Sequence, residues 1–290
     1  LIVSSDIRQS VNRENELPNQ IQTHFDFQMS RLKMNTRRFL FLLLISIFLG
    51  IFSQVKQTAA ATGVHVIWAE LLSKYVRAGG VDYTGFKSDE NRLDQYLKVL
   101  EQTDSKTLPR KEQFAYYVNA YNAWTIKLIL SAYPGITSIK DLGTFWMSPW
   151  EKKFVRIDGY VITLDDIEHQ ILRPRFKDPR VHFAINCSAV SCPPLRSEPY
   201  LGNSLDLQLD QATRSFLNNP NNYRLNDHAF YVSRIFKWFA EDFSNDVLQF
   251  YLRFAQDDLK KKLSEKKDVI QIKYLKYDWS LNDHASNGGG

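Results

Sequence analysis

Cysteine and histidine are scarce in this chain: two cysteines and six histidines among 290 residues. Cys187 and Cys192 have four residues between them. That is neither the two-residue spacing of a thioredoxin-type redox motif nor the spacing of a common zinc module. Internal repeats are lacking, and no linker splits residues 64–282. No apolar run reaches the roughly 20 residues that a membrane-crossing helix requires. A strong charge imbalance is missing as well. Residues 1–61 hold seven of the 37 basic and four of the 32 acidic side chains, so the remainder carries a net +2. That balance argues against a phosphate-tracking surface, and no nucleic-acid partner is expected.

What is present is apolar. Hydrophobic residues make up 44% of the chain and aromatic residues 13%, ample for a sizeable core in one or two domains. Near the N-terminus, Arg37 and Arg38 precede the apolar run Phe39–Phe52, and Ala59-Ala60-Ala61 follows a polar stretch. A basic start, a short apolar core and an Ala-x-Ala site read as a secretory signal peptide over 34–61. Residues 1–33 are then a non-native or disordered leader, and 283–290 a disordered tail. The product is expected to be exported, periplasmic or secreted. The competing expectation is an uncleaved anchor over residues 37–53, the only route by which it would meet a membrane.

Periodicity places the elements. Helices are expected over 64–77, ending at Gly79-Gly80, and over 89–102. A long helix over about 110–132 follows Pro109. Its two stripes, one through Phe114, Tyr117, Val118 and Tyr121 and one through Ala115, Asn119, Asn122 and Ala123, cover most of its circumference. It should therefore be buried nearly all round. Asp158-Gly159 between two apolar segments predicts a hairpin with a primed turn. Thr163 is expected to cap a short helix through Asp165, Asp166 and His169, with acidic side chains favoured in its first turn. Alternation over 181–186 predicts a strand presenting His182 and Asn186 on one face. A helix over 205–218, a second hairpin around Asn226-Asp227, a helix from 244 to 262 and a strand over 270–274 complete the chain. The sum is a single α+β domain over 64–282, its long central helix packed on small antiparallel hairpins.

Residues 180–195 gather both cysteines, His182 and Asn186, the richest concentration of reactive side chains in the sequence. Six motifs around this stretch resemble the DUF547 family, a domain of unknown function. They are Tyr116–Ala123, Leu164–His169, Asp178–Cys187, Ser191–Leu195, Val232–Trp238 and Tyr277–Asn282. The resemblance spans about residues 80–282. Ser188 stands where the family pattern has glycine, and Tyr117 where it has tryptophan. The resemblance implies a fold but no established activity.

Three readings of the stretch stay open. In the first, Cys187 or Cys192 is the nucleophile of a cysteine-dependent hydrolase or transferase. His182 or His169 would be its base, and Asn119, Asn186 or Asp166 would orient that base, with Asn122 in support. The second is a zinc or thiol–disulfide site built on His169, His182, Cys187 and Cys192. In the third, Cys187 and Cys192 form a local disulfide, and the domain is a binding or structural envelope protein for an unknown protein, peptide or envelope polymer. No cofactor is expected, and zinc enters only as the second of these alternatives.

Overall fold

The computed structural model describes residues 63–77 and 79–284. The expected leader, signal segment and anchor lie outside the described residues, as does the tail from 285 onward. The described residues fall within one compact unit. Among the described residues, no helix is long and apolar enough to cross a membrane.

Helix α1 (Val66–Tyr75) runs into strand β1 (Val76–Arg77), which pairs antiparallel with β2 (Gly80–Val81). The predicted helix thus stops two residues early. Gly79, at φ 84°, makes the turn, a left-handed conformation natural to glycine. Helix α2 (Tyr83–Ser88) is capped by Asp82, whose carboxylate accepts the Gly85 N–H at 2.7 Å. Helix α3 (Glu90–Gln102) turns Leu93, Tyr96, Leu97 and Leu100 inward, the face its spacing predicts. Trp68 of α1 stacks on Tyr96 at 5.4 Å.

The long helix is α4 (Arg110–Leu130), and 18 of its 21 residues are buried. It is the axis of the first hydrophobic core, which also takes in α1, α2, α3 and the hairpin β3 (Val155–Ile157) and β4 (Tyr160–Ile162). That hairpin turns at Asp158 and Gly159, both at positive φ, as the primed turn requires. Asp158 ties it to the helix by accepting from Tyr117 Oη at 2.7 Å and Ser105 Oγ at 2.9 Å.

A second core is dominated by phenylalanine and draws on the C-terminal half. It is built from α6 (Leu205–Leu217), α7 (Ile235–Trp238), α8 (Val247–Phe254) and α9 (Asp257–Lys266), after a short helix α5 (Arg173–Phe176). Its sheet has the order β5 (Arg224–Leu225), β6 (Ala229–Val232), β7 (Gln271–Tyr274). The hairpin β5–β6 is antiparallel, but β7 pairs parallel with β6. That corrects the expectation of antiparallel pairing throughout. The crossover through α7, α8 and α9 is what permits a parallel return. The architecture is mixed helix and strand, an α+β fold.

Two further expectations need correction. Residues 181–186 are not a strand: Pro179–Phe183 is a 3₁₀ turn, capped by Asp178 accepting the Arg180 N–H at 3.0 Å. Val181, His182 and Phe183 are buried in succession instead of alternating. The helix expected over 244–262 is broken between α8 and α9. There Asn218 of the segment after α6 reaches over, its Oδ1 accepting the Gln256 N–H at 2.8 Å and its Nδ2 donating to the Phe254 carbonyl at 3.2 Å.

Candidate functional site

Chemically active side chains converge where the two cores meet. A cleft of about 160 Å³ opens at this seam. Tyr121 and Ile185 reach it from the first core, and Cys192, Ile235 and Tyr277 from the second. Trp150, Trp238 and Trp279 wall it. Trp279 lies 5.7 Å from Trp238 and 5.8 Å from Trp150, centroid to centroid.

The cysteine loop is held by two buried asparagines. Asn122 of α4 donates from Nδ2 to the Ala184 carbonyl at 3.0 Å, and its Oδ1 accepts the Asn186 N–H at 2.8 Å. Asn186 donates from Nδ2 to the Pro193 carbonyl at 2.7 Å and accepts the Ser188 N–H at 2.9 Å. Buried amides left unpaired cost about 1–3 kcal/mol each, so this pairing fixes the loop as well as satisfying the groups. Ser188 sits at φ 61°, the left-handed conformation that explains the glycine of the family pattern.

This loop brings the Cys187 and Cys192 sulfurs to 2.7 Å. A disulfide bond is about 2.05 Å long, and both thiols are free. The expected local disulfide is therefore corrected to two thiols in contact. Cys192 Sγ also accepts the Cys187 N–H at 2.8 Å, and Tyr277 Oη lies 3.4 Å from Cys187 Sγ. Cys187 is half-buried and Cys192 buried, and both line the cleft. Burial pushes both thiols up. At Cys187, hydrogen bonds with Cys192 and Tyr277 outweigh burial and hold the thiol below its ordinary range. At Cys192, burial and the neighbouring Cys187 act together and push the thiol well above it.

His182 lines the same cleft. Its Nε2 contacts Asp242 Oδ2 at 2.6 Å, and its Nδ1 faces Glu168 Oε1 at 3.8 Å, beyond hydrogen-bond length. Among the described residues, no hydrogen bond joins His182 to either sulfur. Burial lowers the pKa of His182, with Asp242 opposing. A neutral ring then donates from Nε2 to Asp242 and leaves an acceptor at Nδ1. Burial works against the Asp242 carboxylate too, but hydrogen bonds from His182 and Arg173 prevail and hold its pKa below the usual range. Arg173 donates to Asp242 from Nε at 2.5 Å and from Nη2 at 3.1 Å.

Glu168 is 7% exposed and lines the cleft, and no described residue hydrogen-bonds its carboxyl. Burial, with Cys187 nearby, pushes its carboxyl up to about 8, so it carries a proton at neutral pH. It sits on a π-helical turn, Asp166–Leu172. The turn begins with the reciprocal cap expected of Thr163: Thr163 Oγ1 accepts the Asp166 N–H at 2.8 Å, and Asp166 Oδ2 accepts the Thr163 N–H at 2.9 Å. Asp166 is thus tied to that cap.

The remaining candidates fall elsewhere. Asn119 exchanges two hydrogen bonds with the Tyr200 backbone, at 2.8 and 3.0 Å, away from the cleft lining. His169 contacts Arg173 Nη1 at 2.8 Å and lines a separate hollow with Lys177 and Glu241. Among the described residues, no three His, Cys, Asp or Glu side chains converge to hold a metal. The sequence had not singled out Asp242, which carries no motif. Nor had it assigned a role to Glu168 or Tyr277, although both stand in the stretches that carry the resemblance.

No curated protein and no solved structure matches the chain. Residues 105–217, from the turn before the central helix through the cysteine loop to the end of α6, match the family described as "Protein of unknown function, DUF547".

Proposed function

We propose that this domain carries out thiol–disulfide exchange, with Cys187 as nucleophile and Cys192 as resolving thiol. One observation carries the reading. The partner in contact with the more exposed sulfur, Cys187, is a second sulfur, not an imidazole. A hydrolase scheme needs the base on the thiol, and among the described residues no hydrogen bond joins His182, paired through Nε2 with Asp242, to either sulfur.

The chemistry balances within the cleft. The Cys187 thiolate attacks one sulfur of a substrate disulfide. That S–S bond breaks, and the departing thiolate takes its electron pair and then a proton, for which protonated Glu168 is a source. Cys192 then passes its proton to the Glu168 carboxylate left by the first step and attacks Cys187 Sγ, breaking the mixed disulfide and expelling the second substrate sulfur as a thiolate. The products are a Cys187–Cys192 disulfide and a substrate reduced by two electrons; an external dithiol restores the pair. The asymmetry of the two thiols suits this order, because the attacking sulfur must be the more acidic and accessible one.

Export belongs to the same proposal and rests on the sequence pattern over residues 34–61. An envelope or secreted setting would supply protein disulfides as substrates.

Trapping tests the reading. Incubated with a peptide disulfide, Cys192→Ser is expected to accumulate a mixed disulfide at Cys187, seen as added peptide mass. Cys187→Ser should trap nothing, and the parent chain should end as an internal disulfide. Equal trapping by both variants, or by neither, would remove the proposal.

A further inference from the structure

The cleft's electrostatics narrow the substrate, given the exchange reading. Among the described residues, no lysine or arginine lines it. Its titratable oxygens belong to Tyr121, Asp165, Glu168 and Tyr277, and its imidazole is His182. Two cations touch lining residues from outside, and each is engaged. Arg173 is paired with Asp242 and lies over the Phe239 ring at 5.1 Å. Lys140 sits over the Trp279 ring at 4.0 Å. An anionic ligand entering the cleft would be desolvated beside Asp165 and the Cys187 sulfur, with no lining cation to offset its charge.

The walls point the same way. Trp150, Trp238, Trp279 and Phe239 offer ring faces, which favour apolar groups and cations. Trp238 is 44% exposed, so part of this aromatic surface lies at the mouth. The volume, about 160 Å³, is below the roughly 300–1,000 Å³ of pockets that engulf a drug-sized ligand. It admits a short portion of a larger molecule. Glu168 then supplies a single hydrogen-bond donor that no described residue uses, matched to a neutral acceptor such as a peptide carbonyl.

We infer that the substrate is a polypeptide disulfide with neutral, apolar or basic neighbours, and that anionic low-molecular-weight disulfides are disfavoured.

The test uses the reduced full chain and three probes: a neutral dipyridyl disulfide, the dianionic bis-nitrobenzoate disulfide and oxidised glutathione. Each rate is divided by that of a small unstructured cysteine peptide with the same probe. The normalised rate for the neutral probe should exceed that for either anion by about tenfold or more. Asp165→Asn should narrow the gap, and Trp238→Ala should lower the neutral rate more than the anionic ones. Between two cystine peptides, the one with Trp and Lys flanks should outpace the one with Glu flanks. Equal normalised rates, or a preference for the anions, would overturn the inference while leaving exchange at Cys187 intact. No reaction with any probe would overturn both.

Discussion

At the scale of single residues, the account turns on side chains whose environment departs from the ordinary. Glu168 has its carboxyl raised from 4.5 to about 8 by burial. A folded-state pKa above the unfolded one means that the folded chain holds the extra proton between those values. Its stability contribution is therefore fully present below about pH 4.5 and is lost as pH rises toward about 8. Glu168→Gln should flatten the decline in melting temperature across that window, and an unchanged decline would contradict the assignment. Ser188 is the second case. Its φ of 61° is costly for any residue with a Cβ, so Ser188→Gly should stabilise by about 1 kcal/mol in denaturant unfolding. The sequence marked both positions only faintly. Ser188 showed as a departure from a glycine pattern, and Glu168 as a neighbour of His169. Asp242 gave no signal, because its meaning comes from His182, 60 residues earlier.

At the scale of elements, local chemistry was legible and long-range capping was not. The Asp158-Gly159 turn, the Thr163 cap and the buried circumference of α4 all follow from residue type and spacing. Asp158 shows how such a turn becomes tertiary structure, since its carboxylate also accepts from Ser105 and Tyr117. Asp158→Ala should destabilise the fold by about 2 kcal/mol, because the Ser105 and Tyr117 hydroxyls, which also bond each other, lose their shared carboxylate acceptor. A change within about 0.5 kcal/mol would show the contact to be dispensable. The segment 181–186 alternates like a strand, yet Pro179 and the Asp178 cap start a 3₁₀ turn that packs three successive side chains inward. The break between α8 and α9 is set by Asn218, 38 residues from Gln256. No periodicity within the broken segment could reveal it.

At the scale of the whole molecule, the two cores divide the labour. The first, around α4, presents Asn122 and so dictates the path of the cysteine loop. The second supplies Cys192 and Tyr277. The cleft exists because the cores meet without filling the seam. Asn122→Ala should accordingly impair thiol chemistry beyond its stability cost, because it releases Ala184 and Asn186 on the approach to Cys187. Far-UV circular dichroism should stay near the parent's while the exchange rate falls. The sequence located the reactive stretch and the α+β class, but not the cleft, since neither tryptophan wall nor acidic lining is contiguous with the cysteines.

The central claim is that Cys187 is the reactive thiol and Cys192 the shielded one. Alkylating the reduced chain with iodoacetamide from about pH 5 to about pH 9, with each cysteine followed by peptide mapping, tests this most directly. The account predicts that Cys187 labels with a midpoint below the ordinary thiol value of 9.0 while Cys192 stays silent across the range. Labelling of Cys192 first, or of both at the ordinary value, would contradict it.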